Sequence, residues 1–161
     1  MLRRHDHIVT SGRTAGPLPN ALMQSALLHF ESSAFGIDPG EDEATNPGIF
    51  GRTLAEWVRD RLREQGLPAE DVIAEDFGWC VPVRLDPHAV YVACASDEGG
   101  PEGPPPRDGA AWQLFVFAEG GLLQRLFGKD TRREAMDRVF GAVRQALASS
   151  PDIRNLTEDP A

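Results

Sequence analysis

The chain predicts an α+β domain: a mainly antiparallel sheet of about five strands with two principal helices packed on it. Three observations carry this prediction. Two segments, "FGRTLAEWVRDRLREQG" and residues 131–149, repeat apolar residues at helical spacing. Between them stand short apolar or alternating runs bounded by turn residues, "DVIAEDF", "WCVPVRL", "AVYVACAS" and "AWQLFVFAE". The order strand, helix, four strands, helix then suits helices on an antiparallel sheet. At 161 residues and 41% hydrophobic, the chain fits one domain with one core.

Residues 1–24, rich in Arg, His, Gly and Pro without a period, read as a mobile N-terminal arm preceding a single domain over 25–150. In "SALLHFESSAFGI" Leu28 and Phe30 alternate with His29 and Glu31, which predicts a first strand within 26–37. "DPGEDEATNPG", residues 38–48, has two Pro-Gly pairs and four carboxylates and is a loop. In the first helix Leu54, Trp57, Val58 and Leu62 form one buried stripe. Thr53 and Glu56 have capping-box spacing, and Gly66 is a C-terminal stop.

Asp86-Pro87-His88-Ala89 suits a four-residue hairpin loop, which pairs Leu85 with Val90, Val83 with Val92 and Val81 with Cys94. One face then carries Trp79, Val81, Val83 and Leu85 against Val90, Val92 and Cys94. Cys80 points to the other face, so the two thiols stay free. Pro82 belongs at an edge-facing position or a bulge. Strand 112–118, apolar on both faces at "LFVF", is central. Residues 97–110 form a flexible Pro/Gly loop, and "GLLQRLFGKD" is a short helical turn carrying Leu122, Leu123, Leu126 and Phe127. The second helix presents Met136, Val139, Phe140, Val143 and Leu147, and 151–161 is a C-terminal tail.

With 16 basic and 25 acidic residues the net charge is −9. Such a surface repels phosphate backbones and anionic membranes, which removes nucleic acid and membrane from the expected partners. A basic protein partner fits better, with the chain itself a monomer or weak homodimer. No apolar run reaches the roughly 20 residues of a membrane helix, and the amino terminus lacks the apolar stretch of a secretory signal. Two cysteines make no disulfide framework, so the expected compartment is the cytoplasm.

A helix running back along its sheet makes strand 71–77 parallel to strand 26–37. The loop 38–48 and the corner "EDFGW" then share one rim of the sheet. Asp38, Glu41, Asp42, Glu43, Glu75 and Asp76 would gather there with Asn46 and Trp79. Glu41, Asp42, Asn46, Glu75, Asp76 and Trp79 are the partner-binding candidates. Clustered carboxylates attract a divalent cation, and Asp42, Glu75 and Asp76 are the set that would hold one. The plainer alternative is a solvated acidic rim in which Asp76 or Asp42 accepts backbone N–H bonds in turns.

His5-Asp6-His7 lacks a spaced second pair for a metal, and no P-loop, dinucleotide or nucleophile-elbow pattern occurs. Cys80 has no adjacent base, so a structural role outweighs a nucleophilic one. Trp57 and Trp112 are core residues; Trp79 could anchor an interface, although its parity on the valine face slightly favours the core. No cofactor is expected.

Gly40-Glu41-Asp42, Asn46-Pro47-Gly48, the helix start Leu54 to Trp57 and the corner Glu75 to Trp79 form a recurring pattern, with "LLQRLFGKD" further on. In these motifs residues 28–150 resemble a family of small uncharacterised bacterial proteins. The resemblance implies a bacterial origin and no activity. The leading expectation is therefore a non-catalytic acidic binding protein, inhibitor-like or immunity-like in character, contacting a protein partner through the carboxylate rim. A metal-assisted hydrolase using the same carboxylates is the alternative, and a structural or assembly subunit using 122–127 is the second.

Overall fold

A computed structural model describes residues 22–96, 110–119 and 129–161. Residues 1–21 of the arm expected over 1–24, most of the Pro/Gly loop and the turn over 122–127 lie outside the described residues. The strands are β1 (Leu22–Gln24), β2 (Leu27–Glu31), β3 (Ile73–Glu75), β4 (Gly78–Leu85), β5 (His88–Ser96), β6 (Ala111–Glu119) and β7 (Arg154–Asp159). The helices are α1 (Arg52–Glu64) and α2 (Lys129–Ser149). All pairings are antiparallel, in the order β3-β4-β5-β6-β2-β7, with β1 also on β6.

The α+β class is as expected, but the sheet has seven strands rather than about five. Both extra strands come from segments read as arm and tail. β1 and β2 are successive stretches along β6, separated at Ser25. There the Val116 N–H donates to the Ser25 hydroxyl and the Ser25 N–H to the Val116 carbonyl, both at 2.8 Å. A side chain replaces one ladder acceptor, and the chain pairs on both sides of the irregularity. β7 is the charged run "RNLTED", mostly exposed, and it covers the outer edge of β2. Its hydrogen bonds come from pairing, which no hydrophobic alternation announces.

The β4–β5 hairpin differs from the expected register. Val83 pairs with Val90, Val81 with Val92, Trp79 with Cys94 and Leu85 with His88. The turn is therefore the two residues Asp86 and Pro87, with a cis peptide between them, which suits a turn with proline third. A shift of two residues leaves every side chain on its expected face. Cys80 and Cys94 are both free, both buried, and on opposite faces. Pro82 sits within β4 opposite Tyr91, and its carbonyl accepts from the Glu70 N–H at 2.8 Å.

Both helices cover one face of the sheet. Leu54, Val58 and Leu62 of α1 and Met136, Val139, Val143 and Leu147 of α2 bury against Leu28, Phe30, Val81, Val83, Val90, Val92, Trp112, Leu114 and Val116. Each such side chain contributes about 1.5–3 kcal/mol before entropy. The Trp112 Nε1–H donates to the Ser32 carbonyl at 3.1 Å, which satisfies the polar end of a fully buried ring. Gly66, at φ 81°, ends α1. The Leu67 N–H reaches the Leu62 carbonyl and the Gly66 N–H the Arg63 carbonyl, both at 3.0 Å, a Schellman closure. The start of α1 departs from expectation: Gly51 precedes it with no side-chain cap, and Glu56 pairs with Arg52 at 3.3 Å.

Candidate functional site

Four successive antiparallel pairings, β3 to β4, β5, β6 and β2, make β2 and β3 run in the same direction. Their C-terminal ends therefore reach the same rim, with three strands between them. The segment from Ser32 to Gly51 crosses that rim. The Ser32 N–H donates to the Ala110 carbonyl at 3.0 Å. The Phe50 N–H donates to the Ser96 hydroxyl at 3.2 Å and the Ser96 N–H to the Phe50 carbonyl at 2.7 Å. At the far side the Asn46 N–H donates to the Asp76 carbonyl at 2.9 Å. The loop 38–48 and the corner 75–79 are thus joined directly.

Within the rim the candidates divide. Asp42 turns inward and accepts the Gly48 N–H at 2.9 Å. The Thr45 hydroxyl donates to the Ile49 carbonyl at 2.7 Å, which closes the same turn. Asp38, Glu43, Asn46, Glu75 and Asp76 are exposed. Among the described residues no group of three or more His, Cys, Asp or Glu stands close enough to hold a metal ion. Asp42 therefore stabilises the loop, and no described ligand set forms from Asp42, Glu75 and Asp76.

Glu41 and Trp79 do not lie on the exposed rim. Glu41 is 7% exposed, within a 3-10 turn over Glu41–Glu43, and its carboxylate faces the Gly51 and Arg52 amides without closing a hydrogen bond of full geometry. Burial pushes its pKa up to about 7. The Gly51 and Arg52 amides at the start of α1, with the Arg52 charge, favour the ionised form, while Asp38 opposes it. Trp79 is 8% exposed on the helix-covered face, with its indole N–H unpaired. The Arg52 guanidinium lies 5.7 Å from its ring centroid. Arg52 thus bears on both buried groups, on Glu41 through its amide and charge and on Trp79 through its guanidinium. Trp79 follows strand parity into the core, as its pairing with Cys94 requires.

A feature that chain order alone did not single out is the other face of the sheet, which neither helix covers. Register places Ile73, Cys80, Ala93 and Phe115 in one row across β3 to β6, and Pro82, Tyr91 and Phe117 in the next. Phe77, in the β3–β4 turn, stacks on Phe115 with centroids 6.3 Å apart and meets Phe117 edge-on at 5.9 Å. Tyr91 stacks on Phe117 at 5.0 Å. Ile73 at 39% and Phe77 at 44% are the most exposed large apolar side chains among the described residues. Burial and then Glu75 push the Cys80 thiol up to about 12, which leaves little thiolate at neutral pH.

The chain matches no protein-family model, no curated protein and no solved structure. No helix among the described residues is long and apolar enough to cross a membrane.

Proposed function

We propose that the protein is a non-catalytic acidic binding protein that takes a basic protein partner at the carboxylate rim. The observation that carries this reading is the Asn46 N–H bond to the Asp76 carbonyl, which fixes two acidic segments side by side. The carboxylates of Asp38, Glu43, Glu75 and Asp76 remain exposed, on a chain of net charge −9. Charge gathered this way speeds encounter with a cationic surface and discriminates against anionic ones. Glu41 and Asp42 shape the rim rather than touch the partner. The reading includes a bacterial, cytoplasmic protein without a cofactor, inhibitor-like or immunity-like in character. The hydrolase alternative loses its support, because Asp42 is held by Gly48 and no described set of ligands converges.

Titrating the isotope-labelled chain with an octalysine peptide tests this reading by amide chemical shift. Shifts should concentrate at residues 38–48 and 75–78 and disappear at high salt. The triple variant Glu43→Gln, Glu75→Gln, Asp76→Asn should bind at least fivefold more weakly. Shifts spread evenly over the acids of α1 and α2 would remove the rim as a distinct site.

A further inference from the structure

Sheets bury each apolar face against a layer, and here the two described helices occupy one face only. The other face is paved at its centre by Cys80 and Ala93, fully or nearly buried beneath the aromatic rings. Its upper end is shaped by glycine and alanine. Gly78, at φ 155°, has no room for a Cβ, which would lie 2.6 Å from the Cys94 carbonyl oxygen and 3.3 Å from the Ala95 Cβ. With no side chain at 78 and small ones at 93 and 95, the Phe77 ring folds from its turn onto Phe115 and Phe117. Beside the stripe lies an open hollow of about 220 Å³ lined by Glu70, Ile73, Pro82, Arg84, Ala89 and Tyr91, with Val83 beneath.

The border of this apolar area is acidic. Glu75 stands one row above Ile73 and Cys80 by register, and Glu119 one row below Phe117. Glu70 stands at the side, 3.2 Å from Arg84, so the local cation is already paired. Burial pushes the Tyr91 hydroxyl up first, and Glu119, Glu70 and Glu75 add to it while Arg84 opposes them. Around the stripe the acids Glu70, Glu75 and Glu119 outnumber the one cation, Arg84.

From this placement we infer that the face neither described helix covers, where Ile73, Phe77, Tyr91 and Phe115 lie around the buried Phe117, docks an amphipathic helix of a partner protein whose apolar row is flanked by Lys or Arg. The helix adds a third layer on the face that neither described helix occupies. Its apolar row lies along the aromatic stripe, which spans three interstrand spacings, about 14 Å. Its cations meet Glu75 at the β3 end and Glu119 at the β6 end, a helix-in-groove mode of recognition. Phe77 is the anchor, because it is the most exposed large apolar side chain among the described residues and its ring meets Phe115 and Phe117. This goes beyond the rim reading, in that a different face and apolar contact determine the affinity. Glu75 belongs to both surfaces.

The test uses the full labelled chain and two synthetic peptides of equal length and lysine count. One is amphipathic, with leucines at helical spacing; the other carries serine in place of leucine. The amphipathic peptide should bind at least tenfold tighter, become helical on binding, and shift the amides of Ile73, Phe77, Tyr91, Phe115 and Phe117. Phe77→Ser should lower that affinity at least tenfold while leaving the serine peptide's weak rim binding unchanged. Ile73→Ser, exposed on a short strand, provides a second variant should Phe77→Ser disturb the sheet. Equal affinity of the two peptides, with shifts confined to 38–48 and 75–78, overturns the docking face and leaves the rim reading standing. Absence of both responses overturns the two together. Concentration-dependent self-association through the same residues in place of peptide binding makes a second copy the occupant and likewise overturns the proposal.

Discussion

Glu41 shows how one residue can be read correctly for charge and wrongly for place. Its neighbours Asp42 and Glu43 and the flanking Pro-Gly pairs describe a solvated loop, yet the 3-10 turn directs this one side chain beneath the others. Desolvation is the dominant influence and raises its pKa from 4.5 to about 7. Below about pH 4 folded and unfolded chains both hold the proton, and Glu41 has no effect on stability. Between those two values the unfolded chain releases the proton while the folded one retains it, so stability falls as pH rises. Above pH 7 the penalty is complete, at most about 3 kcal/mol for a shift of this size. Urea unfolding of Glu41→Gln and wild type should therefore show a stability difference that moves in the variant's favour between pH 4 and pH 8. A difference independent of pH would mean that Glu41 ionises normally. The comparison does not depend on whatever constant offset the amide introduces.

At the scale of elements, the strands that alternate or run apolar were legible and the two that do neither were not. β4, β5 and β6 carry their inward residues at every second position, so their faces could be assigned even where the hairpin register was two residues off. β7 has one partly buried residue in six, Leu156, and nothing in "RNLTED" distinguishes it from a tail. It is fixed by the partner that it meets. The Asn155 amide donates to Glu31 at 2.8 Å, and His29 and Asp159 are 3.0 Å apart across the pair. Leu156 and the preceding Ile153 also pack on the core. A chain ending at Ser150 should consequently lose about 2–3 kcal/mol, melt roughly 5 °C or more lower, and aggregate as concentration rises. The reason is an exposed β2 edge, whose unpaired backbone groups template other strands. Calorimetry and light scattering on the truncated chain would measure both effects, and an unchanged melting temperature would reduce β7 to a passive appendage. The rim was legible for a different reason, namely chain order and the hand-back of one helix. The aromatic face was not, because Phe77 lies in a turn and belongs to no period. Its ring reaches Phe115 and Phe117 through the vacancy at Gly78, a three-dimensional circumstance.

Across the whole molecule, a net charge of −9 sets acids against one another, and the rim concentrates them where the backbone prevents them from separating. Asp38, Glu43 and Asp76 are exposed there, without the structural duty that Asp42 performs for Gly48. Repulsion among such groups is long-ranged and weak, and it is screened over about 10 Å at 0.1 M salt but about 3 Å at 1 M. Neutralising them together, as Asp38→Asn, Glu43→Gln and Asp76→Asn, should raise the melting temperature by about 2–4 °C at low ionic strength. That gain should shrink towards zero in 1 M sodium chloride, because salt relieves wild type of the same repulsion. A variant no more stable than wild type at low salt would show that the three charges are already balanced by their neighbours. A salt-sensitive gain would instead identify a rim kept at the expense of stability. Local destabilisation of this kind is relieved when a cationic surface binds, so the same three substitutions that stabilise the free chain should weaken its complex with a basic partner.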